Sequence, residues 1–92
     1  MREPGPILIF DSIHYVLKAE KVLKRAGHEI KVVPVPREIS SDCGVCIRCS
    51  SSELERVVES LSAGKHPLRG AFVPDARGRY RQAWPPEGGG RD

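Results

Sequence analysis

No run of apolar residues in this 92-residue chain approaches the about 18 to 20 needed to cross a bilayer, so no membrane span is expected. Aromatic residues are scarce, with one Trp, two Tyr and two Phe, and the formal charge of +3 is mild. Few platforms exist on which bases could stack, and no broad basic footprint faces a polyanion. Neither nucleic acid nor a membrane is therefore an expected partner. The start, Met1 to Pro6, is polar and turn-like, with no signal-peptide core behind it. A cytoplasmic location is the default expectation. Cysteines number only three, and the odd count reads poorly as a disulfide framework. Reduced thiols or metal ligands are the better starting point.

What is present suits one domain with a modest core, taken as residues 1–84, followed by a tail at 85–92 whose "PPEGGGRD" has nothing to bury. "PILIF" (Pro6 to Phe10) is a continuous apolar run and predicts a buried strand. Asp11 or Ser12 can cap the helix that follows, whose apolar positions Ile13, Val16, Leu17, Leu23 and Ala26 repeat at the helical period. Gly27 ends it as a left-handed cap residue would. "EIKVVPV" (Glu29 to Val35) predicts the second strand and "GVCIRC" (Gly44 to Cys49) the third. Ser50 then starts a second helix, with Glu53 in the reciprocal capping position and Leu54, Val57, Val58 and Leu61 as its core stripe. The fourth strand falls at Leu68 to Val73 or at Tyr80 to Trp84, and the two can form a hairpin about Asp75 to Gly78. Strand, helix, strand, strand, helix, strand is most economically buried as one sheet with both helices on one face. That is the split ferredoxin-like α+β arrangement, with a four-stranded antiparallel or mixed sheet. Strands one and two then lie parallel, with strand three between them.

Every cysteine lies in "SDCGVCIRCS", Ser41 to Ser50. The topology sets the beginning of strand three beside the ends of strands one and two. It brings Cys43 and Gly44 near Phe10, Asp11 and the first turn of helix one. Exposed backbone N–H groups there stabilise an anion and lower a cysteine pKa. His14, in that first turn, can hydrogen-bond to such a thiolate or move its proton. Arg37 supplies a second counter-charge, while Asp11 and Asp42 oppose it. Within a strand, residues three apart face opposite ways, so Cys46 and Cys49 should not meet. Cys43 and Cys46 can meet only if the chain turns at Gly44. A C-x2-C-x2-C spacing also imitates part of an iron–sulfur run, but the fourth cysteine and its proline are missing. No metal is called for; were one bound, Cys43, Cys46 and Cys49 would be its ligands. No organic cofactor is called for either. The arginines at 69, 77, 79 and 81 make the C-terminal stretch net basic, read here as a soluble surface.

The segment "IFDSIHYVLKAEKVLKRAGHEIKVVPVPREISSDCGVCIRC" resembles the DUF3343 family of small selenium/sulfur carrier-like proteins. Its pattern is met by Ser12, His14, Ala19, Glu20, Leu23, Pro34, Pro36, Arg37, Ile39, Ser40, Cys43 and Gly44. The resemblance implies a ferredoxin-like domain in which Cys43 carries sulfur or selenium; beside it, His14 is read as assisting and Ser12, Arg37 and Gly44 as contacting the load. It departs from the family where Cys46 and Cys49 replace apolar residues, and where the stretch from Arg69 is longer and more basic. The expected function is a sulfur or selenium carrier or thiol-transfer protein, loaded on Cys43 by a donor protein and unloaded to an acceptor, with Cys46 as a second thiol. The alternatives are a thiol–disulfide redox protein using Cys43 and Cys46, or a non-catalytic metal-binding or interaction module. Open sheet edges also make a homodimer compatible with the fold.

Overall fold

A computed structural model describes residues 5–39, 44–64 and 68–84. Its elements are β1 (Ile7–Ile9), α1 (Ile13–Arg25), β2 (Lys31–Pro34), β3 (Val45–Arg48), α2 (Leu54–Ala63), β4 (Gly70–Pro74) and β5 (Tyr80–Trp84). The strands form one sheet in the order β2-β3-β1-β4-β5, every neighbouring pair antiparallel. Because β1 and β2 each run antiparallel to β3, they are parallel to each other with β3 between them. The arrangement is ferredoxin-like, with one strand more than the four expected. Both candidates for the last strand form, and the hairpin they make adds β5 at the edge. The tail expected from Pro85 lies outside the described residues.

Val16, Ala19 and Leu23 of α1 and Val57 and Leu61 of α2 share one buried cluster with Leu8, Phe10, Ile47, Cys49 and Ala71. Both helices therefore cover the same face of the sheet. The stripe of α1 is narrower than its apolar positions suggest, for Ile13 and Leu17 are 53% and 52% exposed. At 100° per residue they stand roughly 90–130° from the centre of the buried stripe. At its C-terminus α1 closes with a Schellman motif: Gly27 has φ +92°, and the His28 and Gly27 amides donate to the Leu23 and Lys24 carbonyls, both at 3.0 Å.

The other face of the sheet is also covered. Ile7, Ile9 and Cys46 are buried there, packed by Val33, Val35, Ile39, Phe72 and Tyr80. The chain leaving β2 crosses this face, and the Glu38 carboxylate accepts the Tyr80 amide at 3.1 Å. Burial on both sides explains why β1 reads as an unbroken apolar run instead of alternating. Ile7 and Ile9 each contribute about 1.5–3 kcal/mol when withdrawn from water, which favours closing the loop over them.

The start of α2 corrects the expected capping box. A 3-10 turn at Ser51–Glu53 precedes α2, so Glu53 and not Ser50 stands at the cap position, and no side chain caps the helix. Ser50 instead lies 3.3 Å from the Ser52 hydroxyl. The Glu53 carboxylate is 2.7 Å from His28 Nδ1, and the His28 Nε2 is 3.5 Å from the Ser60 hydroxyl. His28 thus ties the end of α1 to α2.

Candidate functional site

Ile7 faces Arg48, Leu8 faces Ile47, and Pro34 faces Val45. This register brings the start of β3 to the sheet end where β1 runs out into α1 and β2 runs out into its loop. Gly44, bonded to Val45, has φ +83°, a left-handed conformation that turns the chain there. Its carbonyl accepts the Val35 amide at 3.2 Å, which fixes the turn against the end of β2. Cys43 itself lies outside the described residues, as do Ser40, Ser41 and Asp42.

The N-terminus of α1 stands at this same end. Ser12 is its N-cap in extended conformation, and its carbonyl receives the Tyr15 and Val16 amides at 3.1 and 3.2 Å. The Ser12 hydroxyl makes no cap hydrogen bond, and no acidic residue lies in the first turn. The positive end of the helix dipole is therefore neither capped by a side chain nor neutralised from its own turn. Asp11, expected either to cap α1 or to repel an anion, does neither alone. Its carboxylate lies 2.7 Å from the Arg69 guanidinium, which balances its charge. Sequence reasoning set Asp11 against an anion and missed Arg69 as its partner. The strand order carried the signal, because the start of β4 lies beside the end of β1, and the Arg69 amide donates to the Ile9 carbonyl at 2.8 Å.

His14 is exposed in the first turn, its ring set edge-on to Tyr15 with centroids 5.6 Å apart. Arg37 is exposed on the crossing loop, without a charged partner among the described residues. Cys46 is wholly buried on the face opposite the helices, its Sγ 3.8 Å from the Pro34 carbonyl. The sheet thus separates Cys46 from the helix layer that presents His14, and the two do not form one cluster.

Cys49 is 4% exposed and belongs to the helix-side core. Burial, reinforced by the nearby Glu53 charge, pushes its thiol from 9.0 up to about 11. A hollow of about 340 Å³ beside it, lined also by Glu29, Lys31 and Arg48, lies at the far end of β3 from Gly44. Cys46 and Cys49 face opposite sides of the sheet, as the strand period demanded. Within one chain they do not converge on a shared ion. Among the described residues no three His, Cys, Asp or Glu side chains gather as a metal site. No helix among the described residues is long and apolar enough to cross a membrane.

No curated protein and no solved structure matches the chain. One family does, over residues 6–72, a span that takes in β1 through the first half of β4. With that match and the ferredoxin-like sheet, the chain belongs to the family described as "Putative Se/S carrier protein-like", a description that supports sulfur or selenium carriage or thiol transfer.

Proposed function

We propose that Cys43 is the thiol that carries the load, accepting a sulfane sulfur or selenium atom from a donor protein and passing it to an acceptor. The observation that carries this reading is the burial of the other two thiols. Cys46 is 0% and Cys49 4% exposed, so neither can meet a partner's sulfur without an opening of the core. Cys43 adjoins the Gly44 turn, at the sheet end where α1 presents an uncapped N-terminus and where Arg69 offsets Asp11. These features favour a thiolate over a thiol. His14, in the exposed first turn, takes up the thiol proton, and Ser12 and Arg37 serve as contacts for the charged cargo.

In the loading step the Cys43 thiolate attacks the outer sulfur of a donor persulfide. A new S–S bond forms on Cys43, the donor's S–S bond breaks, and the donor leaves as a thiolate. No net oxidation occurs. Transfer to an acceptor thiolate repeats the exchange in reverse. A donor carrying selenium on sulfur is handled identically. Where release is to a small molecule, Cys46 attacks Cys43 sulfur, the distal atom leaves as hydrosulfide or hydroselenide, and a Cys43–Cys46 disulfide remains. An external thiol must then reduce that disulfide. The 0% exposure of Cys46 makes this second route depend on local opening of the loop over the sheet. Such chemistry belongs in a reducing compartment, where resting thiols stay reduced.

Incubation with a persulfide donor followed by intact-mass measurement tests the assignment. The wild type should gain one sulfur atom, about 32 Da, as should Cys46→Ser and Cys49→Ser, while Cys43→Ser should gain none. An unchanged adduct on Cys43→Ser refutes it.

A further inference from the structure

The hairpin of β4 and β5 concentrates the protein's charge. Residues 68–84 hold Arg69, Arg77, Arg79 and Arg81 against Asp75 alone, a net of +3. The whole chain has 15 Lys and Arg against 12 Asp and Glu, so the remaining residues sum to zero. Most of this hairpin lies beyond the family-matched region, which ends at Phe72.

The hairpin's one acid offsets only part of this charge. Asp75 turns its carboxylate back onto the Arg77 and Arg79 amides, at 2.8 and 2.9 Å, where it fixes the turn with Gly78 at φ +85°. Arg69 is held by Asp11. Arg77, Arg79 and Arg81 are exposed, and among the described residues none makes a salt bridge. Next to them, on the face away from the helices, is an open hollow of about 500 Å³ lined by Glu38, Ile39, Phe72, Arg79 and Tyr80. Its apolar lining and its arginine point to a mixed ligand, part hydrocarbon and part carboxylate.

We infer that the β4–β5 hairpin is a docking surface for an acidic segment of a partner protein, whose carboxylates meet Arg77, Arg79 and Arg81 while one apolar side chain enters the hollow. Two other occupants fit less well. A second copy would set one +3 hairpin against another, and like charges repel. A nucleic acid would find only three available guanidiniums on the hairpin, fewer than the roughly 6–10 phosphate contacts of a firm complex. The purpose of the surface rests on the carrier reading: Ile39, in the hollow's wall, is four positions ahead of Cys43 in the chain. A partner seated there is tethered beside the loop that holds the reactive thiol.

The test is a fluorescence-anisotropy titration of the full chain with a labelled peptide of Glu and Asp flanking one Phe. A Lys-for-acid version and a short oligouridylate serve as the other arms. The acidic peptide should bind, weaken as salt rises, and bind about tenfold more weakly to Arg79→Glu/Arg81→Glu. Arg79→Ala/Arg81→Ala should fall in between, and guards against misfolding of the charge-reversed variant. Absence of acidic-peptide binding, equal affinity in the variants, or preference for the oligouridylate or the Lys peptide overturns the inference. Persulfide loading of the same samples separates the two ideas. Both double variants should load Cys43 from a small-molecule donor as the wild type does, and a wild type that fails to load refutes the carrier reading while the titration still decides the docking surface.

Discussion

Ionising Cys49 should destabilise this protein, and the size of the effect follows from its position. The thiol is 4% exposed, packed with the helix-side core, and pushed from 9.0 to about 11 by burial first and the Glu53 charge second. Below pH 9.0 it is protonated in folded and unfolded chains alike, so the preference for the neutral form is fully available. Above that, the unfolded chain gives up its proton first while the native state keeps its own. The native state then binds more protons, and stability falls with rising pH until the folded group also ionises near 11. Two pH units between the states amount to about 2–3 kcal/mol, a large share of the about 5–15 kcal/mol that holds a typical domain together. Urea unfolding followed by circular dichroism at about pH 8 and about pH 11.5 measures the loss. Because Lys and Tyr side chains also titrate in this window, the comparison is with Cys49→Ala. The variant starts less stable, having lost a packed sulfur, but should lose about 2–3 kcal/mol less over the same interval. Parallel pH dependences in the two proteins would refute the reasoning. The same displacement leaves about one Cys49 thiol in ten thousand ionised at neutral pH, so alkylation of Cys49 in the native protein should be correspondingly slow.

Two backbone substitutions probe the site's framework. An alanine at Gly44 would meet nothing within 4 Å, but φ +83° penalises a side chain there. Gly44→Ala should therefore cost about 1–2 kcal/mol by urea midpoint and slow persulfide loading by disturbing the turn before β3. Loading at the wild-type rate would remove Gly44 from the site. A β-carbon at Gly5 would lie 2.7 Å from the Cys49 carbonyl oxygen, which is backbone and cannot swing aside. Gly5→Ala should cost about 1–3 kcal/mol by forcing the chain before β1 away from β3, and an unchanged thermal midpoint would count against that packing.

Much of the fold could be read before any coordinates. Alternation of helix and strand signals, the Gly27 stop and the core stripe of α2 led to the ferredoxin-like order. The three-residue spacing of Cys46 and Cys49 already placed them on opposite faces. Less visible was anything that depended on what covers a surface. Ile13 and Leu17 fit the helical period yet stay exposed, because period alone does not say where the buried stripe is centred. Glu53 fitted a capping box, but a turn of 3-10 helix shifted the cap and His28 claimed its carboxylate. The second apolar layer, with Ile39 and Tyr80 over Cys46, joins residues distant in sequence and left no local pattern.

The sequence by itself determined the order of elements, the family, and which residue types could carry a sulfur atom, since local periodicity and covalent spacing suffice for those. Only the tertiary structure decided which thiols are withdrawn from water, that Arg69 offsets Asp11, and that a basic hairpin stands beside a hollow at the crossing loop. Burial and charge pairing are sums over neighbours brought together from far along the chain, and no window of sequence contains them.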